Sequence, residues 1–155
     1  MKIIISPYST TLRMNGKPHP KNYPHWEKLV ALLKNDNHSI IQIGIKGERE
    51  LVEDCRFDLK MPMLVELIKS EMDSFIAVDN FFPHFCHHYG KKGIVIFSRS
   101  NPKIFGYPEN ANLLKSGKYL RNDQFLFWDQ CEYVEDAFVS PEEVMKHIAI
   151  TKTIA

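Results

Sequence analysis

The sequence predicts an α/β fold, a single Rossmann-like domain over residues 1–155 with a mostly parallel sheet and helices on both faces. Three observations predict it. Short apolar runs rich in Ile, Val and Phe alternate along the chain with segments whose apolar residues recur at helical spacing. Glycine, proline or polar residues follow each apolar run. The composition, 44% hydrophobic, 12% aromatic and 25% charged over 155 residues, is that of one compact domain able to bury a core without disulfides or metals.

The first strand is residues 2–5, a β-branched run stopped by Ser6-Pro7. Gly16 and prolines at 18, 20 and 24 then make residues 10–24 a loop. Trp26, Leu29, Val30 and Leu33 recur at one helical face that runs out at Asn35-Asp36-Asn37. Residues 39–43 read as a strand ended by Gly44, and Gly47 opens a short charged helix over 48–54. After a short extended piece at 56–59, Pro62 starts a helix whose stripe is Leu64, Leu67, Ile68 and Met72. Residues 74–78 read as strand, 80–89 as helix and 93–97 as strand. A final helix is expected over 141–150, with Phe125, Phe127, Trp128 and Tyr133 packed beneath it.

Composition also excludes several functions. Twenty Lys and Arg against 19 Asp and Glu give a net charge of +1, so no global field draws nucleic acid or an anionic membrane. The basic stretch of Lys115, Lys118 and Arg121 reads as a solvated face. No apolar run is long enough for a transmembrane segment, and the start shows no signal-peptide pattern, so a cytoplasmic location is expected. Cys55, Cys86 and Cys131 lack zinc-site or disulfide spacing and read as reduced thiols.

In open parallel sheets ligands bind outside the carboxyl ends of the strands. The loops to weigh are therefore 6–24, 44–48, 79–84 and 98–108. None carries G-x-G-x-x-G or the P-loop pattern. The segment Asp79-Asn80-Phe81-Phe82-Pro83-His84 follows a strand and opens a helix, where backbone amides and the helix dipole suit a diphosphate; the plainer reading makes Asp79 or Asn80 an N-cap. His84 and His88 stand at i and i+4, but no Glu or third ligand completes a metal site. In the loop from Phe97 to Pro108, Ser98 and Ser100 offer hydroxyls, while Arg99 and Lys103 offer charge for a phosphate.

The order of these pieces resembles the C-terminal half of the glycosyltransferase 9 (ADP-heptose:lipopolysaccharide heptosyltransferase) family, which has the two-domain GT-B fold. The counterparts are Ile3 to Ser6, Lys21 with Pro24 and Trp26, Gly44 with Gly47-Glu48, Asp79 to His84, and Phe97 to Pro102 with Gly106 and Pro108. Asp58-Leu59 before Leu64, and Ser140-Pro141-Glu142-Glu143-Val144, also fall where that family has similar segments, so the likeness spans nearly the whole chain. Two positions depart from the pattern: Phe81 and Ser98 stand where the family has glycine, and a Cβ there narrows the approach of a diphosphate.

The resemblance implies a nucleotide-sugar donor held by this domain. Lys21 would contact donor phosphate, Glu48 would lie near the nucleoside, and Asp79, Asn80 and His84 would line the diphosphate and sugar. Ser6, Gly44, Ser98, Arg99 and Ser100 complete the expected binding set. The implied chemistry is inverting transfer without a cofactor or an obligatory metal. Its base lies in the family's first domain, so the expected partner is a second chain or a second copy supplying the acceptor site. The acceptor class stays open among a saccharide, a lipid-linked glycan and a modified DNA base. The alternative is a non-catalytic nucleotide-binding or interaction module on the same fold. A flavodoxin-like or response-regulator domain is disfavoured, because no acidic cluster follows the first strand.

Overall fold

A computed structural model of the protein describes residues 1–10 and 15–151. Among these, strands β1 (Lys2–Ser6), β2 (Ser39–Gly44), β3 (Cys55–Phe57), β4 (Ser74–Val78), β5 (Ile94–Phe97) and β6 (Ala111–Leu114) form one sheet. Every neighbouring pair is parallel and the order is β3-β2-β1-β4-β5-β6, so the fold is Rossmann-like, as the alternation of elements predicts. The central strand β1 pairs Ile4 with Ile41 on one side and Phe75 on the other.

Apart from Gln42 in β2 and the polar residues at their ends, the inner strands are apolar because helices cover both faces. Ile3, Ile5, Ile76, Val78, Ile94 and Ile96 share a core with the Trp26, Leu29, Val30 and Leu33 stripe of α1 (Trp26–Asn35) and with Val144 of α5 (Pro141–Met145). The alternate residues Ile4, Ile41, Phe75, Ala77, Val95 and Phe97 pack on the other face. There they meet Leu64, Leu67 and Ile68 of α2 (Met61–Ser70) and Phe82, Phe85 and Cys86 of α3 (Phe81–His88). A four-residue helix, α4 (Pro102–Phe105), follows β5. No disulfide links the three cysteines, and burial pushes the Cys86 thiol far up.

The structure corrects four expectations. Residues 48–54 form no helix, because the buried amide of Gln42 claims their backbone: its Nε2 donates to the Arg49 carbonyl (2.9 Å) and its Oε1 accepts from the Leu51 amide (2.8 Å). That segment is instead irregular and leads back to β3. Strand β6 was not anticipated, since Ala111-Asn112-Leu113-Leu114 has neither alternation nor β-branching; as an edge strand it needs only β5. The last helix stops at Met145 and a 3₁₀ turn at Ala149–Thr151 carries the chain on, fastened where Ser74 Oγ donates to Thr151 Oγ1 (2.9 Å). Finally, Phe125 and Phe127 are about four-fifths exposed, while Tyr133 packs on Phe138 and Trp128 on His19. Positions 11–14 of the expected 10–24 loop lie outside the described residues.

Close spacing of β4 and β5 depends on Gly93, where an added Cβ would sit 2.4 Å from the Phe75 carbonyl oxygen and 2.5 Å from its ring. Backbone cannot yield as a flexible side chain does. Gly93→Ala should therefore lower unfolding free energy by about 1–3 kcal/mol in urea denaturation, the usual cost of overpacking.

Candidate functional site

The strand order reverses between β1 and β4, so the carboxyl ends at Ser6 and Val78 flank the crevice where open α/β sheets bind ligands. Asn80 spans that point. Its Nδ2 lies within hydrogen-bond distance of Ser6 Oγ (2.9 Å), the Tyr8 carbonyl (3.0 Å) and the Ser6 carbonyl (3.2 Å). Its Oδ1 accepts from the Phe82 amide (2.9 Å), so Asn80 is also the N-cap of α3. With Phe82 capped and Pro83 lacking an N–H, the first turn of α3 offers an anion fewer amides than an ordinary helix start.

Asp79, 5% exposed, is the hub of a second cluster. Its Oδ2 accepts from Lys21 Nζ (2.9 Å) and from Ser100 Oγ (2.7 Å). Ser98 Oγ donates to the Pro20 carbonyl (2.7 Å), fixing the loop that carries Lys21. The Lys21 ammonium also lies 4.8 Å from the centre of the Trp128 ring, and the Arg121 guanidinium lies 4.0 Å from it. The turns after Val78 and Phe97 thus do meet, but their polar groups satisfy one another inside the protein rather than lining an open pocket. Ser98 and Ser100 are 2% and 1% exposed.

One open space lies to the side of this cluster, over β1, β2 and β3. A crevice of about 290 Å³ is lined by Ser6, Tyr8, Gly44, Glu48 and Asn80, with Phe81 at its rim. Gly44 leaves the room that Glu48 fills by folding back over it: a Cβ on Gly44 would stand 1.9 Å from Glu48 Oε2 and displace that carboxylate. The same oxygen accepts from the Ile45 amide (3.3 Å), in a turn that Gly47 permits with φ of +98°. Burial raises the Glu48 carboxyl above the ordinary range, the Ile45 amide pulls it back, and the nearby Asp58 carboxylate pushes it up again. Asp58, Arg56 and Leu59 close the β3 side, but Arg56 is engaged by Asp54 (2.9 Å) and Glu71 (2.8 Å). The crevice is therefore apolar and acidic, suited to hydroxyl or amino donors.

Four of the expected residues, Ser6, Gly44, Glu48 and Asn80, share this crevice. Lys21, Asp79, Ser98 and Ser100 form the neighbouring buried cluster. Arg99 turns away, donating through Nη1 to the Glu132 carbonyl (3.2 Å), and His84 bonds the Tyr107 hydroxyl (2.8 Å) on the outer face of α3. His87 stacks on the same Tyr107 ring and pairs with Glu109. Among the described residues no group of three or more His, Cys, Asp or Glu is placed to hold a metal, and no helix is long and apolar enough to cross a membrane. Sequence reasoning left Tyr8, Asp58 and Trp128 out of the site. Asp58 carried a signal in its motif position, whereas Trp128 lies too far along the chain for spacing to reveal it. Comparison with protein-family models, curated proteins and solved structures returned no match.

Two stability measurements test this geometry. Asp79→Asn leaves the Lys21 ammonium without its carboxylate and should cost about 3 kcal/mol at neutral pH. Glu48 behaves in the opposite sense. A carboxyl raised in the folded state favours folding below its unfolded pKa, about 4.3, and that advantage is lost as pH climbs through the folded value. Glu48→Gln should accordingly be more stable than the native protein at pH 7 and match it below pH about 4 in denaturant titrations.

Proposed function

We propose that this chain is the donor-binding domain of a glycosyltransferase, holding a nucleoside diphosphate-sugar along the carboxyl edge of its sheet. The observation that carries the reading is Glu48, a carboxylate kept buried over Gly44 in the crevice at the reversal of strand order. Holding an acid there against its desolvation is the pattern of a binding group rather than of a structural one. Carboxylates beside the end of a second parallel strand suit ribose hydroxyls. The ordered motifs that resemble the glycosyltransferase 9 family support the same assignment, since Lys21, Glu48 and Asn80 fall at that family's donor-binding positions.

In this reading the nucleoside occupies the crevice and the diphosphate extends past Asn80 towards Lys21. An acceptor hydroxyl attacks the anomeric carbon; the bond from that carbon to the diphosphate oxygen breaks as the new carbon–oxygen bond forms. The hydroxyl proton passes to a carboxylate, and the nucleoside diphosphate departs with the electron pair. That carboxylate and the acceptor site would come from a second chain or a second copy. The acceptor remains a saccharide, a lipid-linked glycan or a modified DNA base.

One observation favours a second reading, a binding module without turnover. The Asn80 cap on the Phe82 amide and Pro83 thin out the amides at the start of α3, and Lys21, Asp79 and Ser100 already satisfy one another.

Calorimetric titration with a panel of nucleoside diphosphates and their sugars checks the reading. At least one should bind saturably, and Glu48→Gln should weaken it about tenfold, the worth of a charged hydrogen bond. Absence of saturable binding across the panel, or affinity indifferent to Glu48→Gln, would overturn it. Binding without transfer when candidate acceptors and partner chains are added would favour the second reading.

A further inference from the structure

The carboxyl edge beyond β5 and β6 holds a larger cavity, of about 550 Å³, which shares no lining residue with the Glu48 crevice. Its charge is of the opposite kind. Arg99, Lys118 and Arg121 line it against the carboxylates of Asp123 and Glu132. Arg121 is only 8% exposed, although an arginine ordinarily keeps its head in water. The protein holds it there deliberately, stacked on Trp128, with Nε donating to the Asp123 carbonyl (2.8 Å) and one Nη to the Leu126 carbonyl.

What the protein does not supply is an acceptor for the remaining donors. Arg121 Nη1 and Arg99 Nε are buried and have no hydrogen-bond partner among the described residues. Asp123 forms no ion pair with either guanidinium among the described residues; its Oδ1 accepts from the Phe125 amide (2.9 Å) within its own turn. None of Arg99, Lys118 and Arg121 forms an ion pair with a carboxylate among the described residues, so three cations line one cavity with their charge left to meet an anion from outside.

We infer that this cavity is a phosphoryl-group site, separate from the nucleotide crevice and independent of the glycosyltransferase reading. A tetrahedral phosphate offers several acceptor oxygens at once, which two guanidinium groups and an ammonium can share. Leu126 and Phe127 stand at its lip, half and four-fifths exposed, with Phe125 beside them. The phosphate can therefore come from a soluble phosphate ester or from the headgroup of an apolar carrier, whose chain would lie on those side chains.

The test uses the full chain labelled with ¹⁵N and has two arms. Inorganic phosphate should shift the amides of residues 118–123 and 130–132 saturably and leave those of 44–48 in place. In the second arm, the protein should sediment with phosphatidylcholine vesicles only when they contain phosphatidic acid, if the carrier is the source. Phosphate shifts without headgroup-dependent sedimentation assign a soluble source, and loss of sedimentation in Phe127→Ala assigns the carrier. Arg121→Gln should weaken binding at least tenfold in the arm that binds; Arg99→Gln, at a more exposed position, serves the same purpose if Arg121→Gln does not fold. The proposal falls if neither arm shows binding, or if binding survives both substitutions.

Discussion

A buried carboxylate must find cationic or hydrogen-bonding partners or lose its charge, and Asp79 at the end of β4 is that carboxylate here. Meeting its demand gathers three loops: the one after β1 through Lys21, its own, and the one after β5 through Ser100. Asn80, the next residue, ties in the end of β1 and starts α3, and Ser98 clamps Pro20. The middle of the carboxyl edge is thereby sealed. Open space is left on either side of it, acidic over β1 to β3 and cationic beyond β5 and β6. Cavity chemistry in this molecule follows from where the seal lies.

Much of the fold was legible because hydrophobic periodicity reflects burial directly. The α1 and α2 stripes and the four inner strands were readable on that ground. The failures share a cause: tertiary partners outweighed local pattern. Gln42, a polar residue in a buried strand, took over the backbone of 49–51, which no local signal in that segment discloses. Strand β6 exists because β5 offers an unpaired edge, not because its own residues favour extension. At the site, the types of residue were readable and their openness was not. Ser98, Ser100 and Asp79 look in sequence like ligand-binding groups, and in the structure Ser100 serves Asp79 while Ser98 serves the Pro20 carbonyl.

The two cavities divide the recognition problem by chemistry. Hydroxyls and amines suit the Glu48 side, and phosphoryl oxygens suit the Arg121 side. Trp128 is the physical link, since its ring receives both the Lys21 ammonium of the sealed cluster and the Arg121 guanidinium of the cationic cavity.

The sheet's flanks also limit how this protein can associate. β3 has three residues and β6 four, and the central residue of β3, Arg56, is committed to Asp54 and Glu71. Such short edges disfavour lateral strand addition by partners and aggregates alike. The exposed Ile45, Phe81, Phe125 and Phe127 border the carboxyl edge's openings or their loops and offer side-chain surface instead.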